Sequence, residues 1–424
     1  MSCEVELRID RLCKTGEGIA TYQGQALFVD GALPGEQVLA RLGDQSRPRR
    51  ARMIRMLQPS PLRQTPSCSL SERCGGCDWL HFDAGGQRQA KLEIVLSTLE
   101  HIGGIERRRL DLRPIASATK QMGYRRRAVL HPDRGQLCFY ERRTHHLVPI
   151  QSCPALVEPL RALPDRLAPF LAPLAADLRE VHLLAEENEV AFAAFLKGPV
   201  GPPHRIRCER ALSALGLRGA VIVPRPGAPV LLGDPVLGAR CALLPQITLY
   251  RRPDLFSQAS AEGDAALARA VLESLAPGPS DRLLELFCGS GNLTFPIARY
   301  ASAVTCVERS NAALELARRS AQEGGVGNVR FLQGDATRVC RGLAQEGLRF
   351  DKLLLDPPRG GAKEVASWAE ALGAKHLVYV ACDAAALARD ALTLGKVGFA
   401  PRSLYLIDMF PQTHHAELVM SFER

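Results

Sequence analysis

Over the first sixty positions, apolar and polar residues alternate. VELRIDRL, ALFVDGAL and QVLARL each carry a period of two, the pattern of half-buried strands. Gly16, Gly18, Gly24, Gly31 and the Pro34-Gly35 pair fall between them and read as turns. The spacing predicts about five short strands, which suits a small β-barrel of the oligonucleotide-binding kind. PSPLRQTPS, residues 59–67, reads as a linker. In GGQRQAKLEIVLSTLEHIGGI, Leu92, Val95, Leu96 and Leu99 recur at helical spacing and the run ends at Gly103-Gly104, so a helix is expected there. Residues 124–150 and 180–250 again read as strands, with HLLAEENEVAFAAFL predicting a hairpin around Glu187-Asn188. The Pro-rich patches at 200–204 and 224–229 mark loops.

From about residue 264 the period changes. DAALARAVLESLA predicts a helix, RLLELFCG a buried strand, NLTFPIARYA a helix, AVTCVE a strand and NAALELARRSAQEGG a helix. VRFLQGDA, FDKLLLDPP and HLVYVACD follow as strands. Strands alternating with helices are the βαβ signature of an open parallel sheet. The expected fold class is therefore α/β, with a C-terminal doubly wound, Rossmann-like domain. The 424 residues allow two or three domains, and the pattern divides them at 1–60, 61–255 and 256–424.

Composition adds little until it is placed along the chain. Hydrophobic residues at 46% and charged residues at 23% are ordinary for a globular protein. The N-terminus is charged from Glu4 onward, which argues against a signal peptide. No uninterrupted apolar run of spanning length is present. A reduced, cytoplasmic protein is expected, acting as a monomer with no membrane and no obligate protein partner. The net charge of +9 is unevenly spread. Arg41 to Arg143 hold 21 Lys and Arg against 10 Asp and Glu, a net of +11; the remainder hold 33 against 35. Arg47, Arg49, Arg50, Arg52, Arg55, Arg107 to Arg109 and Arg125 to Arg127 make this stretch dense in planar phosphate donors. It reads either as a solvated face or as a nucleic-acid backbone footprint.

Three places carry candidate chemistry. First, LLELFCGSGNLTFPIA puts a G-x-G after a strand and before a helix, where backbone can approach a ligand closely and a helix N-terminus favours polar groups. The third glycine of a dinucleotide fingerprint is absent. Glu308 ends the next strand, where an acid can hold two ribose hydroxyls; Asp335 ends the third and Asp356 the fourth. Each acid alone could be a strand-end cap. As an ordered set at the carboxyl edge they point to S-adenosylmethionine rather than NAD.

Second, Cys382 in HLVYVACDAAALARD sits at the end of a buried strand with a helix starting just after. A helix N-terminus lowers a thiol's pKa, although a free cysteine is as often a small buried residue. Glu417 lies in an otherwise apolar AELVM strand, where burial would raise its pKa and suit it to proton transfer. His414 and His415 read as structural or substrate-shaping. Third, Cys68, Cys74 and Cys77 have the spacing C-x5-C-G-G-C, and Cys153 follows in QSCP. Four thiols can hold structural zinc or an iron–sulfur cluster. The eight remaining cysteines, from Cys3 to Cys340, read as small core or surface residues.

These segments resemble the family of RNA uracil-C5 methyltransferases. LELFCGSGNLTFPIA, LLLDPPRGGA, VYVACDAAALARD and FPQTHHAELV occur in that family's order, and DLFSQAS resembles the motif preceding its methyltransferase fold. Residues 5–60 resemble a TRAM domain, a small RNA-binding β-barrel. The resemblance covers nearly the whole chain. It implies that Cys382 is a nucleophile adding to uracil C6, that Asp356 orients the base and that Glu417 removes the C5 proton. It implies S-adenosylmethionine contacts at Gln258, Phe287, Asn292, Glu308, Asp335 and Asp356. It also implies a central α/β domain bearing a [4Fe–4S] cluster on Cys68, Cys74, Cys77 and Cys153. The TRAM-like segment with the four cysteines favours 23S rRNA over tRNA as substrate and partner.

One departure stands out. The family usually has Ser-Cys-Asn-Pro around the nucleophile, and this chain has Ala381-Cys382-Asp383-Ala384; an acid beside a thiolate is expected to raise its pKa. An N-methyltransferase, suggested by Asp356-Pro357-Pro358, would need an aromatic where Arg359 stands. A non-catalytic RNA-binding iron–sulfur protein would be expected to have lost Cys382 or Glu417.

Overall fold

The computed structural model describes residues 4–43, 49–117 and 120–424; Cys3 and Arg47 lie outside them. The chain folds into two compact units. One takes Met1–Thr98, Tyr140–His146 and Phe410–Ala416; the other takes Leu99–Phe139, Leu147–Met409 and Glu417–Arg424.

In the first unit, Glu4–Arg8, Arg11–Leu12, Gly18–Tyr22, Gln25–Val29, Gln37–Leu42 and Arg50–Gln58 form one six-stranded sheet. Alternation buries Leu7, Leu27, Val29, Val38 and Ala40 on one side, as period-two patterning requires. The sheet has one strand more than the spacing predicts. Arg50–Gln58 pairs with Gln37–Leu42 through two register shifts, and shifts of this kind break the strict alternation by which a strand is recognised. The expected linker at 59–67 is tied down. Arg63 donates to Glu36 at 2.5 and 2.8 Å and to the Gly31 carbonyl at 2.6 Å, and Glu36 is fully buried. A buried carboxylate needs such a partner.

The second unit contains two large sheets. The first has seven strands, in the order Leu147–Pro149, Gln136–Tyr140, Arg127–Asp133, Leu178–Glu186, Glu189–Leu196, Gly219–Val223 and Val230–Gly233. Its hairpin turns at Glu187-Asn188, where the sequence places it. The second sheet runs Val329–Gln333, Ala303–Glu308, Arg282–Leu286, Lys352–Leu355, His376–Ala381, Glu417–Glu423 and Ala400–Asp408, with short strands from 111–117 on its edge. The first five pair in parallel. Leu283, Leu284, Leu286, Leu353 to Leu355 and Leu377 to Val380 are almost completely buried, as expected when helices cover both faces of a parallel sheet. Strand order reverses at Arg282–Leu286, which makes a ligand crevice at the carboxyl edge. Glu417–Glu423 runs antiparallel between His376–Ala381 and Ala400–Asp408, and that reversal positions the site. Among the described residues no helix is long and apolar enough to cross a membrane.

Candidate active site

The loop after Arg282–Leu286 is held in an uncommon backbone conformation. Phe287 has φ +65, Gly289 +56 and Gly291 +89. A Cβ on Gly291 would stand 2.7 Å from the Phe295 ring, so glycine is required there by space as well as by torsion. Phe287 is not a glycine and carries a cost in this region that its surroundings must cover; its N–H donates to the Val307 carbonyl at 2.8 Å. Glu308, the last residue of the neighbouring strand, accepts from Gly289 N–H at 3.1 Å and Ser310 N–H at 2.8 Å. The expected helix behind the loop shrinks to Thr294–Ala298, too short for its N-terminus to do the polarising work expected of it. Pro296 near its start and Gly291 before it leave little room for a longer run.

Asp335 caps the helix Ala336–Gln345 through Arg338 N–H. Asn292 and Gln258 are joined indirectly. Asn292 Nδ2 donates to Asp264 Oδ1 at 2.5 Å, Arg126 donates to Asp264 Oδ2 at 2.7 Å, and Arg126 Nε donates to the Gln258 carbonyl at 2.9 Å. Arg126 also pairs with Glu186 at 3.1 Å, and Arg251 reaches Asp264 at 3.1 Å. Arg126 is only 5% exposed, so it is a structural ion and not part of a phosphate footprint. Arg127 is likewise engaged, donating to the Leu255 carbonyl. Exposed arginines remain at 50, 52, 55 and 107 to 109. Asp264 had no signal in the sequence beyond an acid in the first turn of a helix, where the helix dipole alone would account for it.

Cys382 follows the last residue of His376–Ala381, and Glu417 opens the antiparallel strand beside it. The register pairs Ala381 with Leu418, so Cys382 and Glu417 are the next residues at the adjoining ends of the two strands, and the Glu417 charge acts on the Cys382 thiol. Asp356 follows Lys352–Leu355, the parallel neighbour on the other side. Three strand ends therefore bring the nucleophile candidate between two acids. Burial, and then the Asp264 charge, pushes the Asp356 carboxyl up to about 7. Burial, and then Asp356, pushes Glu417 well above the usual carboxylate range.

The Cys382 thiol is exposed at the surface yet its pKa is raised to about 11. Reduced solvation comes first, followed by Glu417, with Asp356 adding and Arg359 opposing. This corrects the expectation of a thiol lowered by its helix. Asp383 has a different task from the one its position suggests: its Oδ1 accepts from Ala386 N–H at 2.8 Å and caps the helix Ala384–Lys396.

The cysteine loop is built of turns. Cys74 N–H donates to the Leu70 carbonyl at 2.8 Å, Gly75 N–H to Tyr140 at 2.9 Å, and Gly76 N–H to Cys74 Sγ at 3.4 Å. Cys68, Cys74 and Cys77 are part-buried here, and Cys153 is part-buried in the second unit; none is in a disulfide. No group of three or more His, Cys, Asp or Glu converges as a metal site among the described residues, so the arrangement lends the expected cluster no support. His414 contacts the Asp78 carboxyl and sits against the Trp79 ring, consistent with a structural role.

A parallel sheet whose order reverses at a glycine loop, closed by an antiparallel hairpin and edged with acids, is the Rossmann-like fold of S-adenosylmethionine-dependent methyltransferases. The solved tRNA (uracil-54, C5)-methyltransferase of Pyrococcus abyssi, in complex with S-adenosyl-L-homocysteine, shares this fold with a TM-score of 0.74 at 22% identity, over 98% of this chain and 99% of that one. The family model for tRNA (Uracil-5-)-methyltransferase matches residues 246–424. The 23S rRNA (uracil(1939)-C(5))-methyltransferase RlmD of Pseudomonas putida is 34% identical over 98% of this chain and 93% of its own length. The RlmD of Shewanella sp. is 33% identical over the whole chain and 96% of its own length. The chain belongs to the RNA uracil-C5 methyltransferase family, in its RlmD type.

Proposed function

We propose that this protein methylates C5 of a uridine in 23S rRNA, giving 5-methyluridine, and that Cys382, Glu417 and Asp356 carry the reaction. The observation that supports the mechanism is the strand register pairing Ala381 with Leu418, which brings the strand ends carrying Cys382 and Glu417 together, with Asp356 following the adjacent parallel strand. The substrate rests on the RlmD relatives, which align with 98–100% of this chain. Uracil C5 is a poor nucleophile. Addition of the Cys382 thiolate to C6 places electron density on C5, which then attacks an electrophilic methyl carbon. S-adenosylmethionine, when bound, would supply that methyl group on a sulfonium, whose methyl–sulfur bond breaks to release a neutral thioether. Gln258, Phe287, Asn292, Glu308, Asp335 and Asp356 are the residues that would hold it. Glu308 fits this role because, with Gly289 and Ser310 already bound, its carboxylate keeps lone pairs for a ribose diol. Asp356, holding its proton, donates to the uracil edge and stabilises the adduct. Glu417 then takes the C5 proton, the C6–S bond breaks, and the thiolate leaves as the C5–C6 double bond re-forms.

The test is incubation with a 5-fluorouridine-substituted rRNA fragment and S-adenosylmethionine. Fluorine cannot leave as a proton does, so a gel-stable covalent complex is expected with the intact protein and none with Cys382→Ala, whose turnover should fall on the order of 10⁴-fold. Absence of a complex with the intact protein would end the cysteine mechanism. A tRNA transcript in parallel decides between the two RNA classes, since the solved enzyme of the same fold acts on tRNA. The six-stranded sheet of residues 4–58 supports a TRAM-like RNA-binding role for 1–60. The [4Fe–4S] cluster rests on cysteine spacing and resemblance alone. Anaerobically purified protein would be brown with about four irons per chain; a colourless preparation would remove this part of the proposal.

A further inference from the structure

Asp390 is an acid with 1% exposure on the helix that begins beside Cys382, and it gathers an unusual set of donors. Its Oδ2 accepts from Tyr379 Oη at 2.7 Å and from Ala362 N–H at 2.6 Å. Its Oδ1 accepts from Arg389 Nε at 2.8 Å and Nη2 at 2.7 Å. Ala362 N–H also reaches Tyr379 Oη at 3.0 Å, and Arg389 Nη2 donates to the Gly360 carbonyl at 2.8 Å. All three side chains thus converge on residues 360–362, the far end of the loop that begins at Asp356. The fit is close: a Cβ on Gly361, at φ +74, would stand 2.5 Å from both Arg389 and Asp390. The near end is held by Asp356 N–H on the Leu286 carbonyl at 3.4 Å. Between these anchors lies Arg359, exposed and paired in no ion bridge among the described residues.

The loop's position matters for sulfur chemistry. Three charged groups act on Cys382. Glu417 on the antiparallel strand and Asp356 at the loop start disfavour the thiolate whenever they are ionised, and of the three Arg359 favours it, together with a backbone hydrogen bond at Cys382 itself. A site with two acids around its nucleophile needs a fixed cation, and an arginine on a tethered loop can serve only if the tether sets its distance.

We propose that the Tyr379–Asp390–Arg389 node is a positioning device for the nucleophile: it sets the 356–362 loop so that the Arg359 guanidinium faces Cys382 and stabilises its thiolate. This rests on the reading of Cys382 as the nucleophile. Neither Asp390 nor Arg389 touches a reacting atom; both act through Arg359. The device links the end of one strand, the helix after the next, and the turn between, so the nucleophile and the loop move together or not at all.

The experiment measures the pH dependence of iodoacetamide alkylation of Cys382 in the full chain, quantified by mass spectrometry of its peptide. Asn at 390 keeps the shape but offers one acceptor where four donors converge. In Asp390→Asn the alkylation rate at pH 8 is expected to fall about threefold to tenfold, through a profile shifted to higher pH. Arg359→Ala shifts it the same way and at least as far. The double variant is no slower than Arg359→Ala alone, because both act through one guanidinium. Additive shifts, or an Asp390→Asn profile that overlays the intact protein while Arg359→Ala moves, would overturn the proposal. Should Asp390→Asn fail to fold, Arg389→Ala, at a partly exposed residue, removes the Gly360 tether and is held to the same outcomes. The 5-fluorouridine complex separates the two ideas. Its absence with the intact protein defeats the nucleophile reading; its presence alongside coincident alkylation profiles defeats the positioning device.

Discussion

The carboxyl edge of the parallel sheet has two halves that use the same residue types in opposite environments. On the glycine-loop side, Glu308 and Asp335 are each met by backbone N–H groups, from Gly289, Ser310 and Arg338. On the nucleophile side, the Asp356 and Glu417 carboxyls receive no hydrogen bond among the described residues; burial, followed by Asp264 for Asp356 and by Asp356 for Glu417, drives both upward. Backbone donors orient a carboxylate and leave its remaining lone pairs free to hold hydroxyls. Their absence leaves a group whose affinity for a proton is raised, so that it can take one up or give one back. The two environments suit the roles proposed for them, ligand holding on one side and proton transfer on the other.

The largest effect expected from breaking this contrast is at Glu417. Glu417→Gln removes the base without changing shape. Turnover should fall about 10²- to 10⁴-fold, and a methylated covalent complex should accumulate on ordinary uridine RNA, because the C5 proton has no acceptor. Turnover lost with no complex trapped would place the base elsewhere.

On the binding side, Glu308→Ala should weaken S-adenosylmethionine about ten- to hundredfold, the value of hydrogen bonds to a charged group, read by calorimetry. It should leave the alkylation profile of Cys382 unmoved. If that profile shifted as well, the two halves would not be electrostatically separate.

How much of this was readable from residues alone follows from what kind of pattern each feature has. The parallel strands were legible because they are short apolar runs between helical periods, and Ala303–Glu308 and the hairpin at Glu187-Asn188 fall where the sequence puts them. The acids at the strand ends were legible as an ordered set. The first sheet has six strands where the spacing predicts about five, and its members include the two-residue Arg11–Leu12 and the register-shifted Arg50–Gln58, neither of which has a clean period of two. Arg126 was misread because charge density along a chain does not say which arginines face inward; three acceptors far away in sequence, at Glu186, Gln258 and Asp264, decide that. The cause of the thiol's upward shift was not legible for a related reason: beyond burial, the acid responsible is Glu417 and not the neighbouring Asp383. The helix following Cys382 is a local feature, whereas Glu417 arrives through an antiparallel strand 35 residues later in the chain. Asp390 gave no signal at all, being one acid in an alanine-rich helix. Local periodicity predicts elements; the charge environment is made by pairings that periodicity does not contain.

The smallest expected effect tests where the boundary between the halves lies. Glu285 is on the strand leading into the glycine loop, yet it is buried and behaves like the nucleophile side. Burial pushes its carboxyl up to about 7, against hydrogen bonds from Thr294 and Cys306. An acid whose folded pKa lies above its unfolded value of 4.5 binds its proton more tightly in the native state. Stability is then highest below the unfolded value and declines as pH rises toward 7, by at most about 3 kcal/mol. The melting temperature of the intact protein should therefore drop by roughly 5 °C between about pH 5 and 7.5. Glu285→Gln cannot ionise, keeps an acceptor for Thr294, and should drop by less, with Asp356 and Glu417 supplying the remainder. Equal slopes would mean that Glu285 does not hold its proton in the native state, leaving the proton-holding region wholly on the nucleophile side of the edge.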